Sequence, residues 1–137
     1  MSRGDRRKNS AIGGRHVFGN LYDVDEAIAC DEGRLRKAVL EAADLVGMRV
    51  AEIKSWTFGG KKGGVSVIAI LVGSHIAVHT WIEYRYATVD VYISEAQKDP
   101  WRAFEHLVKV LKPRYYTVSY ADRSSLTLIK TPRRPAL

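Results

Sequence analysis

The stretch Gly59–Ser94 reads GGKKGGVSVIAILVGSHIAVHTWIEYRYATVDVYIS, and the predicted fold is organised around it. Its apolar run 65–72 has the length and the β-branched content of a buried strand. The run breaks after Val72, and the chain resumes as a second strand over 75–81. Because Gly73 and Ser74 are ordinary turn residues, the break predicts a tight turn or a bulge between two strands.

The rest of the chain predicts two helices and four more strands. Apolar residues at helical spacing predict one helix from about Asp31 to Val46. Asp99 and Pro100 have the residue types of an N-cap and a first helical position, so they predict the start of a second helix. Alternating or apolar runs predict the remaining strands at 15–22, 48–58, 87–93 and 115–121. Helices of this kind cover one face of a sheet, so we expect an α+β two-layer sandwich with a mainly antiparallel sheet.

Length and composition bound the class of protein. The 137 residues suffice for a single domain, predicted over residues 15–129. No run of about 18 apolar residues occurs, and no basic segment precedes an apolar one, so we predict a cytoplasmic protein without a membrane span. The single cysteine, Cys30, excludes an intrachain disulfide and a cysteine-rich metal site.

The net charge of +7 is concentrated at the two ends of the chain. Residues 1–14 and 130–137 hold seven of the 22 basic side chains and one of the 15 acidic side chains. These segments are predicted to be solvated, disordered tails. The domain between them is nearly neutral. Because nucleic-acid binding needs cations clustered on a folded surface, it is not expected here.

Five short motifs follow one another in the central stretch: GVS with Ser66, SH with Ser74, HTW with His79, EY with Glu83, and YATVDVY, which ends two residues before Ser94. Together they resemble the prokaryotic S-adenosylmethionine decarboxylase family of pyruvoyl enzymes, which includes an archaeal branch that decarboxylates arginine. The similarity extends over residues 14–125, and the order and spacing of the motifs are more specific than any one of them. The resemblance agrees with the predicted fold and implies a homodimer with active sites near the interface.

The resemblance also implies a self-processing enzyme. Decarboxylation leaves a carbanion that no side chain stabilises adequately, and a carbonyl that forms a Schiff base with the substrate amine solves this problem. In the family that carbonyl is a pyruvoyl group made from a serine, which matches Ser74, so the chain should cleave between Gly73 and Ser74 into β and α subunits. His79 and Ser66 match the processing residues. No lysine motif suggests pyridoxal phosphate, and no metal is expected.

Two further positions match residues that the family uses during turnover. Glu83 matches a substrate-binding carboxylate, which suits a cationic or a hydroxyl-bearing substrate because a carboxylate accepts hydrogen bonds from both. Trp81 is a candidate for stacking on the substrate, as are Tyr84 and Tyr86, although aromatic residues on strands more often belong to a core. Lys61 and Lys62 are predicted to lie in a solvated turn.

The chain departs from the family pattern at two positions. Gly73 replaces the glutamate that usually precedes the cleavage serine, and we expect this change to be tolerated because the acyl shift uses the backbone carbonyl. Ser94 replaces a cysteine that serves as proton donor, and a serine hydroxyl is a much weaker acid than a thiol of pKa about 8.5. The alternative hypothesis is therefore a non-catalytic or regulatory paralogue that keeps the fold.

The substrate is either arginine or S-adenosylmethionine. Both molecules carry an α-amino group and a positive charge, so one chemistry serves either. The segments FGGKKGGVSVIA and YADRSS resemble the archaeal arginine branch more closely, and we therefore favour arginine. The product, agmatine or decarboxylated S-adenosylmethionine, would feed polyamine biosynthesis.

Overall fold

The computed structural model describes residues 12–124 and 127–132 of the chain. It contains seven strands and three helices within those residues. The strands are β1 (Ile12–Tyr22), β2 (Val50–Phe58), β3 (Gly64–Leu71), β4 (Ser74–Trp81), β5 (Tyr86–Glu95), β6 (Tyr115–Tyr116) and β7 (Ser119–Asp122). The helices are α1 (Glu26–Ala29), α2 (Glu32–Leu45) and α3 (Pro100–Leu111). The predicted tails lie mostly outside the described residues, including the basic side chains Arg3, Arg6, Arg7, Lys8, Arg133 and Arg134.

The strands form one sheet in the order β2-β3-β4-β5-β1-β6, with β7 also paired to β1, and the neighbouring strands pair antiparallel. The helices cover one side of the sheet, which we call the helix face, and the other side is the open face. On β3 the buried Val65, Val67 and Ala69 belong to the helix face, whereas Ser66 and Ile68 alternate onto the open face. This arrangement confirms the predicted α+β two-layer sandwich.

The predicted break between two strands is a two-residue hairpin turn. β3 ends at Leu71, β4 begins at Ser74, and these two residues pair directly across the turn. Gly73 has a backbone φ of +67°, in the left-handed region that glycine enters without steric cost. The turn therefore explains both the glycine and the end of the apolar run.

The two predicted helices start at the residues whose side chains cap them. Asp31 accepts a hydrogen bond from the backbone N–H of Arg34 at 3.0 Å, at the start of α2. Asp99 accepts one from the N–H of Trp101 at 2.9 Å, and Pro100 occupies the first position of α3. Both helices pack their apolar sides against the sheet.

The structure differs from the prediction in three elements. The strand predicted over 115–121 is two short strands, β6 and β7, interrupted at residues 117–118. β1 begins three residues earlier than predicted. The short helix α1 was not predicted, and its Ala29 carbonyl accepts a hydrogen bond of 2.7 Å from the buried Thr80 hydroxyl. In the described part of the chain, no helix is long and apolar enough to cross a membrane.

Candidate active site

Ser74 is the first residue of β4, and its side chain is buried at the end of the sheet, with 6% of its surface exposed. Its hydroxyl accepts a hydrogen bond of 2.9 Å from the backbone N–H of Ser94. The Ser94 hydroxyl lies 3.2 Å away, so the two side chains also share a hydrogen bond. The end of β5 therefore holds the Ser74 hydroxyl in place beside the Gly73–Ser74 peptide bond.

The two departures from the family pattern are neighbours in space. A Cβ added to Gly73 would lie 3.0 Å from the Ser94 hydroxyl, which is closer than nearly all real contacts of that kind. A side chain at position 73 would also have to adopt the left-handed backbone of this turn. The absence of a side chain at position 73 thus leaves room for the Ser94 hydroxyl in this chain.

Ser66 and His79 face each other across the β3–β4 hairpin. Ser66 Oγ lies 2.7 Å from Nδ1 of His79, and the two side chains share a hydrogen bond on the open face. The neighbouring Gly64 lets the two strands approach closely here, because a Cβ at that position would overlap the carbonyl oxygen of Thr80. The structure therefore brings together the two residues that match the family's processing pair.

Within one chain, this pair is separated from Ser74. Side chains alternate along β4, so Ser74 shares the helix face with the buried Ile76, whereas His79 lies on the open face. Five strand residues also place them about 17 Å apart along the strand. The alternation that was expected to point His75 away from Ser74 applies equally to His79.

Glu83 is exposed in the turn between β4 and β5 and forms no ion pair or hydrogen bond with the described residues. A neighbouring cavity of about 570 Å³ is lined by Tyr22, Lys62, Trp81, Tyr84 and Tyr86. The ring centroids of Trp81 and Tyr86 lie 5.2 Å apart, and those of Tyr86 and Tyr22 lie 5.4 Å apart. A free carboxylate and an aromatic cavity thus lie at the same end of the molecule.

An aromatic row connects this cavity to the processing pair. Trp81 contacts His79 with ring centroids 6.4 Å apart.

Burial raises the pKa of the Tyr86 hydroxyl above its usual value, and the nearby Tyr22 adds to the increase. Tyr86 therefore keeps its proton at neutral pH and remains a hydrogen-bond donor.

Sequence reasoning missed part of this site. Lys62 lies exposed in a turn, as predicted, and it also lines the cavity, which the sequence did not indicate. The sequence predicts Tyr22 only as the last residue of a strand. In the structure it also lines the cavity and contacts Tyr86. The available signal was the antiparallel pairing of β1 with β5, which sets these two tyrosines opposite each other.

A second polar cluster lies nearer to the Ser74 end of the open face. His16 Nε2 lies 2.9 Å from a carboxylate oxygen of Asp90, and the guanidinium of Arg123 lies 4.7 Å above the ring of Tyr92. Burial lowers the pKa of His75 in this cluster, His16 and Arg123 lower it further, and Asp90 opposes the change. His75 is therefore neutral at neutral pH. This cluster was not predicted from the sequence.

These observations agree with the comparison of the chain with known protein families. The model of the S-adenosylmethionine decarboxylase family matches residues 15–124. The chain therefore belongs to this family and is a decarboxylase, as its motifs predicted.

Two sequence relatives and one solved structure are among the proteins to which this chain is similar. The chain is 56% identical over 115 residues to an arginine decarboxylase proenzyme of Hyperthermus butylicus, covering 84% of this chain and 81% of the relative. It is 49% identical over 136 residues to an arginine decarboxylase proenzyme of Ignicoccus hospitalis, covering 98% and 90%. The crystal structure of the adenosylmethionine decarboxylase from Aquifex aeolicus superposes with a TM-score of 0.75 at 23% identity, covering 88% of this chain and 98% of that one. The last comparison supports the fold.

Proposed function

We propose that this chain cleaves itself between Gly73 and Ser74 and then decarboxylates arginine by means of a pyruvoyl group made from Ser74. The observation that carries the proposal is the position of the Ser74 hydroxyl. It is buried next to the scissile bond and already accepts a hydrogen bond from the Ser94 N–H. A donor of this kind favours the deprotonated form of the hydroxyl, which is the form that attacks the carbonyl.

The proposed cleavage uses only atoms of the chain and one water molecule. Ser74 Oγ attacks the carbonyl carbon of Gly73, and the peptide C–N bond breaks to give an ester with a free amino group on Ser74. Elimination then releases residues 1–73 as a carboxylic acid and leaves an unsaturated residue at position 74. Addition of water and loss of ammonia convert that residue to the pyruvoyl group. Gly73 presents no side chain that would hinder the attack.

The described residues fit such a group at position 74. When formed, the pyruvoyl carbonyl would supply the electron sink that decarboxylation requires. The Ser94 N–H donates a hydrogen bond to Ser74 Oγ, the oxygen that leaves with residues 1–73 during elimination. The Ser94 hydroxyl lies within 3.2 Å of the same atom, so it is placed to hold or move a proton there.

Arginine is the proposed substrate for two reasons. The two relatives at 56% and 49% identity carry the name arginine decarboxylase proenzyme. A guanidinium group also pairs bidentately with a carboxylate and stacks on aromatic rings. Glu83 offers a carboxylate without a partner in the described structure, and the adjacent cavity offers the rings of Trp81 and Tyr86.

We further infer that a complete site needs two copies of the chain. Ser66 and His79 lie on the opposite face from Ser74 and about 17 Å along the strand, so they cannot assist the serine of their own chain. If the open faces of two copies pack together about a twofold axis near Ala77, the Ser74 end of one copy approaches the His79 end of the other. A dimer with such an axis has two identical sites, because each copy contributes its Ser74 end to one site and its His79 end to the other.

The composition of the open face supports this arrangement. Four large apolar side chains are exposed there with no cover from the described residues: Trp56, Phe58, Ile68 and Ile70. Trp56 is 67% exposed and Ile70 is 54% exposed. Contiguous apolar surface of this kind marks an interaction site in most soluble proteins. A second copy would cover it and bring its own Ser66–His79 pair toward the end of the sheet at which Ser74 lies.

Denaturing mass spectrometry of the purified protein tests the cleavage. We expect two chains, residues 1–73 and 74–137, with the second lighter by one ammonia than a chain that begins with serine. The variant Ser74→Ala should give one intact chain. An uncleaved wild-type protein, even after prolonged heating, would contradict the proposal.

The substrate is tested with the cleaved protein and two carboxyl-labelled compounds, arginine and S-adenosylmethionine. We expect labelled carbon dioxide from arginine. Glu83→Gln should raise the KM for arginine strongly, because it removes the charge and keeps the shape, whereas Trp81→Leu should matter less. Release from S-adenosylmethionine alone would reject arginine and leave the cleavage at Ser74 intact.

A further inference from the structure

Two non-glycine residues in adjacent turns have left-handed backbone conformations. Asp23 follows β1 with φ of 57°, and Arg85 precedes β5 with φ of 48°. Such conformations are disfavoured for residues with a Cβ by roughly tenfold, whereas glycine adopts them freely. Because glycine would serve either turn with less strain, the side chains that occupy these positions need a separate explanation.

The side chains of these two residues join the turns to each other. Arg85 Nε lies 3.3 Å from a carboxylate oxygen of Asp23 and donates a hydrogen bond of 3.3 Å to the carbonyl of Val24. The carbonyl of Arg85 in turn accepts a hydrogen bond of 3.0 Å from the Val24 N–H. Val24 is fully buried in the core, so it is a fixed anchor point.

The anchored turn is the one that carries Glu83. It spans residues 82–85 and is closed by a hydrogen bond of 3.1 Å from the Arg85 N–H to the Ile82 carbonyl. Glu83 and Tyr84 are therefore the two central residues of a closed turn whose last residue, Arg85, is anchored to Val24. No other contact of the Glu83 side chain with the described residues holds it in place.

The same contacts fix two walls of the aromatic cavity. Tyr22 directly precedes Asp23, and Tyr86 directly follows Arg85. These tyrosines pair across β1 and β5, and both line the cavity together with Tyr84. The ion pair thus joins the ends of the two strands from which the cavity is built.

We propose that Asp23 and Arg85 form a clamp that positions the Glu83 turn over the aromatic cavity, and that both are positioning residues for substrate binding. The inference rests on the proposed function, in which Glu83 and this cavity receive the side chain of the substrate. The clamp residues are not required to touch the substrate. Their two side chains are about half exposed, so the pair contributes little to global stability and acts mainly on the local order of the turn.

The decisive variant is Arg85→Gly. Glycine removes the ion pair and the bond to Val24 but also relieves the left-handed backbone, so the melting temperature should stay the same or rise. We expect the KM for arginine to rise about fivefold while kcat stays within about twofold, because a loosened turn weakens binding without changing the chemistry at residue 74. A merely structural role would lower the melting temperature and leave KM unchanged.

Two further variants sharpen the test. Lys112→Gly is the matched control, because Lys112 is another cation with left-handed backbone, φ of 50°, at the end of α3. It should leave KM unchanged. The exchanged pair, Asp23→Arg with Arg85→Asp, should recover at least part of the affinity lost in Asp23→Asn, because it restores the ion pair. Failure of the exchanged pair to improve on Asp23→Asn would contradict the clamp.

Hydrogen exchange separates failure of the clamp from failure of the proposed function. Amide exchange over residues 82–85 should be faster in Arg85→Gly than in the wild type and in Lys112→Gly, whether or not the protein turns over arginine. Unchanged exchange there overturns the clamp. Accelerated exchange in a protein that processes arginine with an unchanged KM overturns its role in binding, and a wild type without arginine turnover overturns the proposed substrate instead.

Discussion

Among single residues, Ser94 is the one on which we expect the turnover rate of the proposed site to depend most. Its N–H and its hydroxyl both reach the Ser74 oxygen, so it occupies the place of a proton donor although its side chain is a weak acid. Gly73 leaves room beside it, since even a Cβ at position 73 would come within 3.0 Å of the Ser94 hydroxyl. Because position 73 has no side chain, we expect it to leave room for the slightly larger sulfur atom of a cysteine at position 94.

We expect Ser94→Cys to raise kcat for decarboxylation by about tenfold or more, because a thiol is the better general acid near neutral pH. Self-cleavage should be retained, because the backbone N–H that contacts Ser74 is unchanged. The measurement is kcat of the cleaved protein, with Ser94→Ala as control. Equal rates in wild type, Ser94→Cys and Ser94→Ala would show that the proton comes from another group. Activity that appears only in Ser94→Cys would favour the regulatory paralogue.

Part of this residue-level site follows from the sequence. The pairing of Ser66 with His79 and their separation from Ser74 both result from strand alternation once the hairpin is placed between Leu71 and Ser74. The contact between Ser74 and Ser94 was accessible only through the family resemblance. It depends on the register between β4 and β5, which a local pattern does not determine.

At the scale of elements, a polar cluster attaches α2 to the edge strand β2. One carboxylate oxygen of Glu32 accepts a hydrogen bond of 2.6 Å from the Thr57 hydroxyl, and the other accepts one of 2.8 Å from Ser55. Arg36 donates to the Ser55 hydroxyl at 2.9 Å. The hydrogen bonds from Thr57 and Ser55 lower the pKa of Glu32, and the charge of Arg36 adds to the effect. The ionised carboxylate is therefore favoured by folding.

We expect Glu32→Gln to lower the melting temperature by a few degrees at pH 7. The pKa of Glu32 is lower in the folded chain, so its contribution is fully present above the unfolded value of about 4.5 and is lost as pH falls through the folded value. The difference between wild type and Glu32→Gln should therefore shrink on acidification. Glu26→Gln is the control, since Glu26 occupies the first turn of α1 without these hydroxyl partners. A difference that does not change with pH would contradict this account.

The elements themselves were predicted well where the pattern was long. α2, α3 and the four central strands were found within about three residues of their ends, because each combines a regular apolar period with a cap or a turn signal. α1 was missed because its four residues cover barely one turn and give no period. The interruption between β6 and β7 depends on pairing with different parts of β1, which is a tertiary property.

In the molecule as a whole, the fold separates the two groups of residues that we propose for self-cleavage. One chain holds Ser74 at one end of the sheet and its Ser66–His79 pair on the other face toward the other end. Strand alternation indicates this separation once the hairpin is placed, but a local sequence pattern does not indicate which face of the finished sheet the helices leave open. The open face, with exposed Trp56 and Ile70, is the surface that would bring the two groups together.

Co-expression of two processing-defective variants tests whether the site is shared. Ser74→Ala keeps the His79 pair but has no serine to cleave, whereas His79→Ala keeps Ser74 but lacks the histidine. Each variant alone should stay uncleaved. In the proposed mixed dimer, the histidine of the Ser74→Ala chain would approach the end of the sheet at which the His79→Ala chain holds Ser74, so we expect the His79→Ala chain, and only that chain, to be cleaved. Mass spectrometry of differently tagged chains measures this.

A third substitution, added to both variants, tests whether this cleavage requires the two copies to pack together. Ile70→Glu places a charge on the open face, where Ile70 is 54% exposed, and a buried unpaired charge would oppose packing of two copies. When it is added to both variants, cleavage in the mixture should disappear, and the protein should elute as a monomer on size exclusion. Cleavage of His79→Ala by itself would show that His79 is dispensable. If the mixture stayed uncleaved although mixed dimers formed, the two-copy site would be wrong, and Ser74 would have to be activated within its own chain, where the nearest described hydroxyl is that of Ser94.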